Sequence, residues 1–396
     1  MKRRFIPLVI ALLLLLSYTL VITLVNLRPD FIRFQKTYGG MGFDEAWSVV
    51  QTPDGGYAIV GQTDSFGAGE RDFWLVKVDA NGNALWNKTF GGKDVDIAYS
   101  IALIDDGGYA LVGDTSSFGA GSFDFWLVKT DSTGNIQWNK TYGGKRTDGA
   151  NSVVQTSDGG YAIAGHTSSF GAGDWDFWLV RTDANGTGLW SKTFGTPKTD
   201  YAYSIVQTID RGYAIAGYTS SFGAGRYDFW LVKTDENGTI QWNQTYGGKN
   251  SEWAFSIVQT TDEGYAMAGY TSSFGAGQMD FWLVKTDASG NMQWNKTYGG
   301  PDWDWGTSII QTDNEGYAIA GWTKSFGTGD SDFWLLKTDE NGNAQWNRTY
   351  GGAGWDESNS VVQTSDGGYA LVGHMHSKTG STDFFIVKTD DNGTVP

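Results

Sequence analysis

Short apolar runs alternate with polar turns along the chain from about residue 33 to its end. One stretch contains four such runs, at residues 152–156, 161–165, 176–181 and 188–193. Runs of this length that are rich in Val, Ile, Tyr and Trp and bounded by Gly, Asp and Asn are typical of β-strands. The turns at 158–160 and 183–186 carry Gly and Asn, which accept positive φ, so they indicate two β-hairpins.

The four-strand unit, with strands a to d, recurs with a period of 52 residues. The motif Lys-Thr-Tyr/Phe-Gly starts at positions 36, 88, 140, 192 and 296, and Gln or Arg replaces its Lys at 244 and 348. A long fixed period is the signature of a repeat fold, and four antiparallel strands repeated radially form the blades of a β-propeller. We therefore predict an all-β, seven-bladed β-propeller of four-stranded antiparallel blades over residues 33–396.

The two ends of the chain indicate how the ring closes. Strand d carries a Trp in six copies, and one period before Trp86 lies Phe34, in a strand d that has no a, b or c before it. The last copy has strands a, b and c but ends at Pro396, before a seventh Trp. We predict that the N-terminal strand completes the seventh blade and removes an open edge. An open solenoid would instead need polar caps at both ends.

The N-terminal residues have the pattern of a membrane segment. Lys2, Arg3 and Arg4 precede residues 5–27, which contain no charge and would span about 34 Å as a helix, enough for a ~30 Å hydrocarbon core. We predict a cytoplasmic tip, an uncleaved transmembrane signal anchor and a short linker within residues 1–32, with the body outside the cell. A cleavable signal peptide is the alternative, although its apolar core is usually shorter.

Composition excludes several classes of function. The chain has no Cys, three His and a formal net charge of −16, which argues against thiolate chemistry, against most metal sites and against nucleic acid as a partner. The Asp-x-Asn-Gly turns share positions with calcium loops but lack the other ligands. His374 and His376 alternate on one strand, while His166 lies too far around the ring to complete a zinc site. We expect a monomeric propeller with no metal and no cofactor.

Three segments, at residues 256–271, 280–287 and 294–300, carry the motifs Gly-Tyr-Ala-Met-Ala-Gly, Asp-Phe-Trp-Leu-Val-Lys and Trp-Asn-Lys-Thr-Tyr-Gly-Gly. They resemble a repeat of secreted or cell-surface bacterial and archaeal β-propeller proteins, and the resemblance covers residues 33–396. It implies the fold and export, but no reaction. Residues 231–242 also resemble the tryptophan-docking repeat of pyrroloquinoline quinone dehydrogenases. That resemblance implies a quinone enzyme of eight blades, whereas this chain has seven units.

The copies differ from one another mainly on one face of the predicted ring. The d–a and b–c connections share this face, the top, and the a–b and c–d turns share the bottom. Bottom turns hardly change, whereas top loops and the adjoining strand ends vary and often carry aromatic residues. Binding residues commonly lie on loops held by a rigid scaffold. The candidate ligand-binding residues are Trp47, Tyr99, Trp175, Tyr203, Tyr227, Phe255, Trp303, Trp305, Trp355, Asp304 and Asp356.

Four of these residues, Trp47, Trp303, Trp305 and Trp355, fall in consecutive blades, and we expect them to form one patch near the channel mouth. Because Trp303 and Trp305 lie outside the repeated pattern, we also expect their replacement by Ala to leave the melting temperature nearly unchanged. Drift of solvent-exposed loops is the alternative explanation of the variation.

Two other sets of residues recur once or more per blade. Carboxylates open strand a (Asp44 and its copies, among them Asp304 and Asp356) and strand c (Asp72 and its copies), and we interpret both rings as caps of backbone N–H groups. Asn-x-Thr sequences are possible glycosylation acceptors if the body is exported, although alternation of Asn and Thr on a solvent face explains them equally well. They start at Asn87, Asn139, Asn185, Asn237, Asn243, Asn295, Asn347 and Asn392.

The sequence is compatible with more than one function. We expect a membrane-anchored extracellular recognition module, without enzymatic activity, that binds a cell-surface glycan or protein through the aromatic-bearing top face. The alternatives are a propeller-type enzyme, such as a glycan hydrolase, a lyase or a quinoprotein, and a structural component of the cell envelope. No group of unique catalytic residues breaks the repeat in neighbouring blades.

Overall fold

The computed structural model describes residues 31–376 and 380–396 of the chain. Within them, 28 strands form seven four-stranded antiparallel sheets, which confirms the predicted seven-bladed propeller. The predicted transmembrane segment at residues 5–27 lies outside the described residues. In the described part of the chain, no helix has the length and apolar character needed to cross a membrane.

The strands of each blade follow one another in sequence, except in the seventh. Blade 1 contains β2 (Asp44–Gln51), β3 (Tyr57–Thr63), β4 (Asp72–Val78) and β5 (Ala84–Phe90). Blade 2 contains β6 (Asp96–Leu103), β7 (Tyr109–Thr115), β8 (Asp124–Thr130) and β9 (Ile136–Tyr142). Blade 3 contains β10 (Asp148–Gln155), β11 (Tyr161–Thr167), β12 (Asp176–Thr182) and β13 (Gly188–Phe194). Blade 4 contains β14 (Asp200–Gln207), β15 (Tyr213–Thr219), β16 (Asp228–Thr234) and β17 (Ile240–Tyr246).

The remaining three blades follow the same order. Blade 5 contains β18 (Glu252–Gln259), β19 (Tyr265–Thr271), β20 (Asp280–Thr286) and β21 (Met292–Tyr298). Blade 6 contains β22 (Asp304–Gln311), β23 (Tyr317–Thr323), β24 (Asp332–Thr338) and β25 (Ala344–Tyr350). Blade 7 contains β26 (Asp356–Gln363), β27 (Tyr369–His376), β28 (Thr382–Lys388) and β1 (Phe34–Tyr38).

The N-terminal strand closes the ring as predicted. Strand β1 pairs with β28 in a register that joins Phe34 to Lys388 and Tyr38 to Phe384. The Phe34 ring lies 6.2 Å from Tyr57 of blade 1, matching the 6.3 Å between Trp86 and Tyr109 one blade further on. Phe34 therefore takes the place that Trp occupies in strand d of the other blades.

The hydrophobic core is divided among the seven junctions between blades. Strand c is buried on both faces, as its apolar composition predicts. At the junction of blades 3 and 4, the Phe177 ring packs 4.5 Å from the Trp230 ring, and Leu179 and Ile215 join the same cluster. Strand a contacts strand a of the neighbouring blades, so these strands surround the central channel.

The bottom turns need a residue with positive φ. Gly55, Gly107, Gly159 and Gly367 supply it at φ between 80° and 88°. Blades 4 to 6 place Arg211, Glu263 and Glu315 at the equivalent positions, with φ of 64–66°. Residues with a Cβ adopt this conformation at some energetic expense, so the turn geometry is set by the hairpin and persists where Gly is absent.

The two carboxylate rings cap backbone groups, as interpreted from the sequence. Asp44 accepts hydrogen bonds from the Gly40 N–H at 2.8 Å and the Ser65 hydroxyl at 2.7 Å. Asp72 accepts from the N–H groups of Ala68 and Gly69 at 2.8 and 3.2 Å. Both rings hold the top loops in place.

The bottom face carries a repeated ion pair that the sequence analysis did not anticipate. A buried Lys or Arg near the end of strand c reaches the Asp of the a–b turn, as in Lys77–Asp54 at 2.9 Å and Lys285–Asp262 at 2.8 Å. Partial burial opposes ionisation of Asp54, but hydrogen bonds from Thr52 and Lys77 lower its pKa to about 2. The other pairs are Lys129–Asp106, Arg181–Asp158, Lys233–Asp210 and Lys388–Asp366.

Candidate functional site

A β-bulge in strand a turns one side chain per blade toward the channel. In every blade the register shifts between the third and fifth residues of strand a, as between Ala46 and Ser48, so the fourth residue is left out of the ladder. Bulges commonly redirect a side chain at functional sites. The seven bulge residues are Trp47, Tyr99, Asn151, Tyr203, Phe255, Thr307 and Asn359.

These side chains surround a cavity of about 380 Å³ at the channel mouth, hereafter the channel-mouth cavity. Its volume falls within the ~300–1,000 Å³ range of small-molecule sites. All seven bulge residues line it. The other lining residues are Tyr201, Trp253, Trp305, Trp322 and Glu357.

Aromatic side chains form a continuous stack on one side of this cavity, which we call the aromatic arc. It begins where the His166 ring stacks on Tyr201 at 3.8 Å. Further along, Tyr218 stacks on Trp253 at 4.5 Å, and Trp305 lies between Tyr270 at 4.6 Å and Trp322 at 5.1 Å. The complete series is His166, Tyr201, Tyr218, Trp253, Tyr270, Trp305 and Trp322.

Each blade contributes one cross-strand pair to this level of the ring, the second residue of strand a and the sixth of strand b. In blades 4 to 6 both members are aromatic, as in Tyr201 opposite Tyr218. In blades 7, 1 and 2 the same positions hold mainly polar groups, which we call the polar arc. Its members are Glu357 and His374, Glu45 and Gln62, and Ile97 and Asp114.

Burial raises the pKa of all three carboxyl groups in the polar arc. The pKa of Glu357 rises to about 7, because burial and the charge of Glu45 oppose ionisation more than Lys324 favours it. Burial also raises the pKa of Glu45, although Gln62 and Arg71 act in the opposite direction. The pKa of Asp114 is well above its usual range for the same reason, and its carboxylate accepts one hydrogen bond, from the Ala150 N–H at 2.8 Å.

The two histidines at this level are neutral near pH 7. Burial lowers the pKa of His166 to about 3. Burial, with a smaller effect of His376, lowers the pKa of His374 to about 4. The 4.0 Å contact of His374 with Glu357 is therefore not an ion pair at neutral pH. Among the described residues, no three His, Asp or Glu side chains are placed to hold a metal ion.

Several buried polar atoms around the channel mouth have no hydrogen-bond partner within the described part of the chain. They include the indole N–H groups of Trp47 and Trp253 and one polar atom each of Gln62, His166 and His374. Buried polar atoms are almost always paired, and each exception calls for an explanation such as an unseen water or ligand. Their concentration here marks the channel mouth as a part of the ring where buried polar groups are poorly satisfied.

The structure divides the predicted site residues into groups. Trp47, Tyr99, Tyr203, Phe255 and Trp305 lie together on the channel-mouth cavity. Trp175 and Tyr227 lie behind the aromatic arc: Trp175 packs edge-on against His166, and Tyr227 packs edge-on against Tyr218.

Trp303 and Trp355 do not line the cavity. They are 39% and 56% exposed and lie on either side of Lys324, whose ammonium nitrogen is 5.0 and 5.4 Å from the two ring centres. The four indoles expected in one patch therefore form two separate groups, with Trp47 and Trp305 in the channel.

Two further expectations need correction. Asp304 and Asp356 are completely buried, and each accepts hydrogen bonds from the top loops, so neither is available to a ligand. Trp305 is packed within the aromatic arc between Tyr270 and Trp322, and we therefore expect its removal to lower stability instead of leaving the melting temperature unchanged.

Sequence reasoning missed Tyr201, Trp253 and Glu357, although each lines the cavity. All three occupy the second position of strand a, which varies between copies as strongly as the bulge position does. Their carboxyl and aromatic character was visible in the sequence, but the depth at which the second position meets the channel was not.

The Asn-x-Thr sequences have a structural use in strand d. Asn87 accepts a hydrogen bond from the indole N–H of Trp74 at 3.2 Å, and Asn139, Asn243, Asn295 and Asn347 do the same in their blades. In blade 3, Ser191 stands at this position, and the Trp178 indole N–H has no partner among the residues that the structure describes. The Asn side chains are exposed, so this contact explains their recurrence without excluding modification.

Closed by its N-terminal strand, the chain is a seven-bladed β-propeller with a ligand-sized cavity at one end of its channel. No protein-family model matches it. It is similar to regulatory protein FlaEY of Caulobacter vibrioides, with 29% identity over 187 residues, 40% of this chain and 20% of that protein. The match thus spans about one fifth of that relative's length.

Similar solved structures include the Pan2 WD40 domain of Neurospora crassa, with a TM-score of 0.55 and 11% identity over 93% of this chain and 99% of that one. Sqt1 from Chaetomium thermophilum has a TM-score of 0.48 and 13% identity over 85% of this chain and 83% of that one. The likeness to the Pan2 domain shows the fold alone.

Proposed function

We propose that the protein is a membrane-anchored extracellular recognition module that binds a cell-surface glycan at the channel-mouth cavity. The observation that carries this proposal is the cavity itself, with eight aromatic residues among its lining. Aromatic rings pack against the C–H faces of sugars, and sugar hydroxyls supply both acceptors and donors. A protein segment is the other ligand considered from the sequence, and the cavity is small for one.

The polar residues of the cavity suit such a ligand. The Asn151 and Asn359 amides each donate to a backbone carbonyl of the next blade, Ala202 at 2.7 Å and Ala46 at 2.9 Å. Fixed in this way, they orient their side chains at the cavity wall. Preorganised polar groups between aromatic surfaces give orientation and specificity to small-molecule sites.

The location outside the cell rests on the N-terminal sequence, with its three basic residues before an uncharged apolar run. We expect external protease to digest the body of the protein in intact cells, and the mature N-terminus to remain at or near Met1. Mature protein starting near Arg28 would instead show a cleaved signal, and a body protected inside the cell would refute the proposed location.

Binding is tested on a glycan array with the purified chain in a polyoxyethylene detergent, which contains no sugar. The double variant Trp47→Ala/Tyr99→Ala removes two bulge residues whose rings lie 5.3 Å apart. We expect at least about tenfold weaker capture, equivalent to 1.4 kcal/mol. The control, Thr261→Ala/Glu236→Ala, changes bottom-face turns and should bind as the wild type does. Equal binding by both variants would refute the site.

One observation favours a second function, glycan hydrolysis. Many glycosidases use two carboxyl groups, one of which is a general acid with a raised pKa. Glu357 lines the cavity, its pKa is about 7, and the charge of Glu45 contributes to that value. The test incubates the protein with an oligosaccharide that it retains on the array. Release of shorter sugars by the wild type, but not by a Glu357→Gln variant that still binds, would establish glycan hydrolysis. Recovery of the intact oligosaccharide would support recognition alone.

A further inference from the structure

The carboxyl groups at the level of the channel-mouth cavity outnumber the cationic side chains that line it. Among its twelve lining residues there is a carboxyl group, Glu357, but no Lys or Arg. Two more carboxyl groups of the polar arc, Glu45 and Asp114, lie at the same level of neighbouring blades. Among the described residues, no Lys or Arg forms an ion pair with these three groups, and burial disfavours their charged forms. A bound cation would favour their ionisation.

In the part of the chain that the structure describes, the nearby cationic side chains already have other partners. Lys324 lies between the rings of Trp303 and Trp355, outside the cavity. Arg71 forms an ion pair with Asp64 at 3.2 Å. His374 does not supply a positive charge at pH 7, because burial holds its pKa at about 4.

The opposite wall of the cavity also suits a cation. Cations are attracted to the faces of Trp, Tyr and Phe, most strongly where water is excluded. Tyr203, Trp253, Phe255 and Trp305 contribute aromatic surface, and Trp47 and Tyr99 add more beside the polar arc. The protein already uses this chemistry outside the cavity, where Trp303 and Trp355 hold the Lys324 ammonium group.

We propose that the channel-mouth cavity binds an ammonium group, primary or quaternary, with Glu357 as its counter-charge and the aromatic lining as its walls. This inference rests on the proposed recognition function and narrows the ligand to one that carries such a cation. An amino sugar, a lysine side chain and a choline headgroup all present this chemistry.

Isothermal titration calorimetry on the full chain, in a detergent free of sugar and ammonium groups, tests the inference with three matched pairs. They are glucosamine and glucose, Nα-acetyl-lysine amide and its Nε-acetylated form, and choline and 3,3-dimethylbutanol. We expect the ammonium member of at least one pair to bind at least tenfold more tightly than its neutral partner. The pair with the largest ratio identifies the source of the cation.

Two variants connect the effect to the cavity. Glu357→Gln should weaken ammonium binding at least tenfold and reduce the affinity ratio between the ammonium probe and its neutral partner. Glu236→Gln, which changes an exposed bottom-face carboxylate, should change neither. Equal binding within every pair, absence of heat from all six probes at 10 mM, or full binding by Glu357→Gln would overturn the inference. If neutral sugars still bind in a Trp47-dependent manner, the recognition function stands while the ammonium preference falls.

Discussion

The two faces of the ring are formed by the same four strands of each blade, but they differ in whether their buried ionisable groups form ion pairs. At the bottom, six blades pair a buried Lys or Arg with an Asp of the a–b turn. At the top, Glu45, Asp114 and Glu357 have raised pKa values because burial opposes their ionisation. The bottom repeats one stabilising arrangement, whereas the top differs from blade to blade and leaves polar atoms without partners.

This contrast separates the requirements of the fold from those of a site. Because a blade folds with either an aromatic pair or a polar pair at the channel mouth, the scaffold does not demand the polar arc. Local features that reduce stability without helping the fold are expected at functional sites. We expect substitutions on the top face to change both stability and ligand binding, and substitutions on the bottom face to change stability alone.

Both faces depend on a closed ring, and opening the ring should have the largest effect on stability. Deleting residues 33–40 removes β1 and exposes the edge of β28, which promotes aggregation. We expect a loss of several kcal/mol and early cleavage in blade 7, measured by thermal melting and limited proteolysis. The control Phe34→Trp restores the residue found in the other blades and should fold normally. A truncated chain that melts and digests like the intact one would show that β1 does not close the ring.

The next effect concerns the aromatic arc. Trp305→Ala should destabilise the chain by about 2–4 kcal/mol, since it removes a packed indole between Tyr270 and Trp322. Trp303→Ala removes an indole that is 39% exposed and should lower stability by less than about 1 kcal/mol. Denaturant unfolding measures the loss of unfolding free energy in each variant. Equal losses would contradict the prediction that Trp305 in the aromatic arc stabilises the fold more than Trp303 in the loop.

At the polar arc, removing a carboxylate should increase stability. The folded-state pKa of Glu357 is about 7, above its ordinary value of 4.5, so the folded state holds the proton more tightly. The contribution of the protonated Glu357 to the free energy of unfolding is fully present below pH 4.5 and is lost as the pH rises to about 7. Glu357→Gln should therefore exceed the wild type in stability by up to about 3 kcal/mol at pH 8 and match it near pH 4.

The measurement is the difference in unfolding free energy between Glu357→Gln and the wild type from pH 4 to 8. The charged or titratable groups that face Glu357 are Glu45, Lys324 and His374. Because the pKa of His374 is lowered in the folded state, its titration destabilises the fold as the pH falls, which is opposite to the effect of Glu357. Both proteins contain His374, so most of its effect cancels in the difference between them. The control Glu236→Gln should show no such pH dependence. A constant difference would contradict the assigned pKa.

At the bottom, adding a carboxylate should increase stability, by a smaller amount. Blade 6 has Asn314 in place of the usual Asp, and Lys337 donates to it at 3.1 Å. Burial lowers the pKa of Lys337 to about 8, so at pH 7 the charged form is less stable in the folded chain than in the unfolded one. Asn314→Asp should stabilise by about 1 kcal/mol at pH 7, measured by denaturant unfolding. Asn341→Asp is the control, and equal effects would exclude a specific pair.

The repeated part of the molecule could be predicted from the sequence, and the site could not be predicted to the same depth. The 52-residue period and the isolated Phe34 were sufficient to predict the seven blades and the closure of the ring, because both predictions depend on a spacing that is the same in every copy. The Lys77–Asp54 pair was missed, since its members lie 23 residues apart and meet only when strand c crosses the a–b turn.

For the site, variation between copies pointed to the face that holds the channel-mouth cavity and to five of the residues that line it. It did not separate Trp305, which packs in the channel, from Trp303, which lies on a loop two residues earlier. Strand alternation alone does not give this difference, because residues two positions apart share a face, whereas β22 begins at Asp304 and leaves Trp303 in the d–a loop. Asp304 was misassigned because a carboxylate that caps a loop and one that faces a ligand look alike in a sequence.

The most direct test of the channel-mouth site is fluorine NMR of the full chain labelled with 5-fluorotryptophan, with resonances assigned by Trp→Phe variants. An oligosaccharide retained on the array is titrated into the sample. We predict that the signals of Trp47, Trp253 and Trp305 shift together, while those of Trp86 and Trp138 on the outer strands stay unchanged. A bound oligosaccharide that shifts the outer indoles and leaves the three channel indoles unchanged would contradict the account.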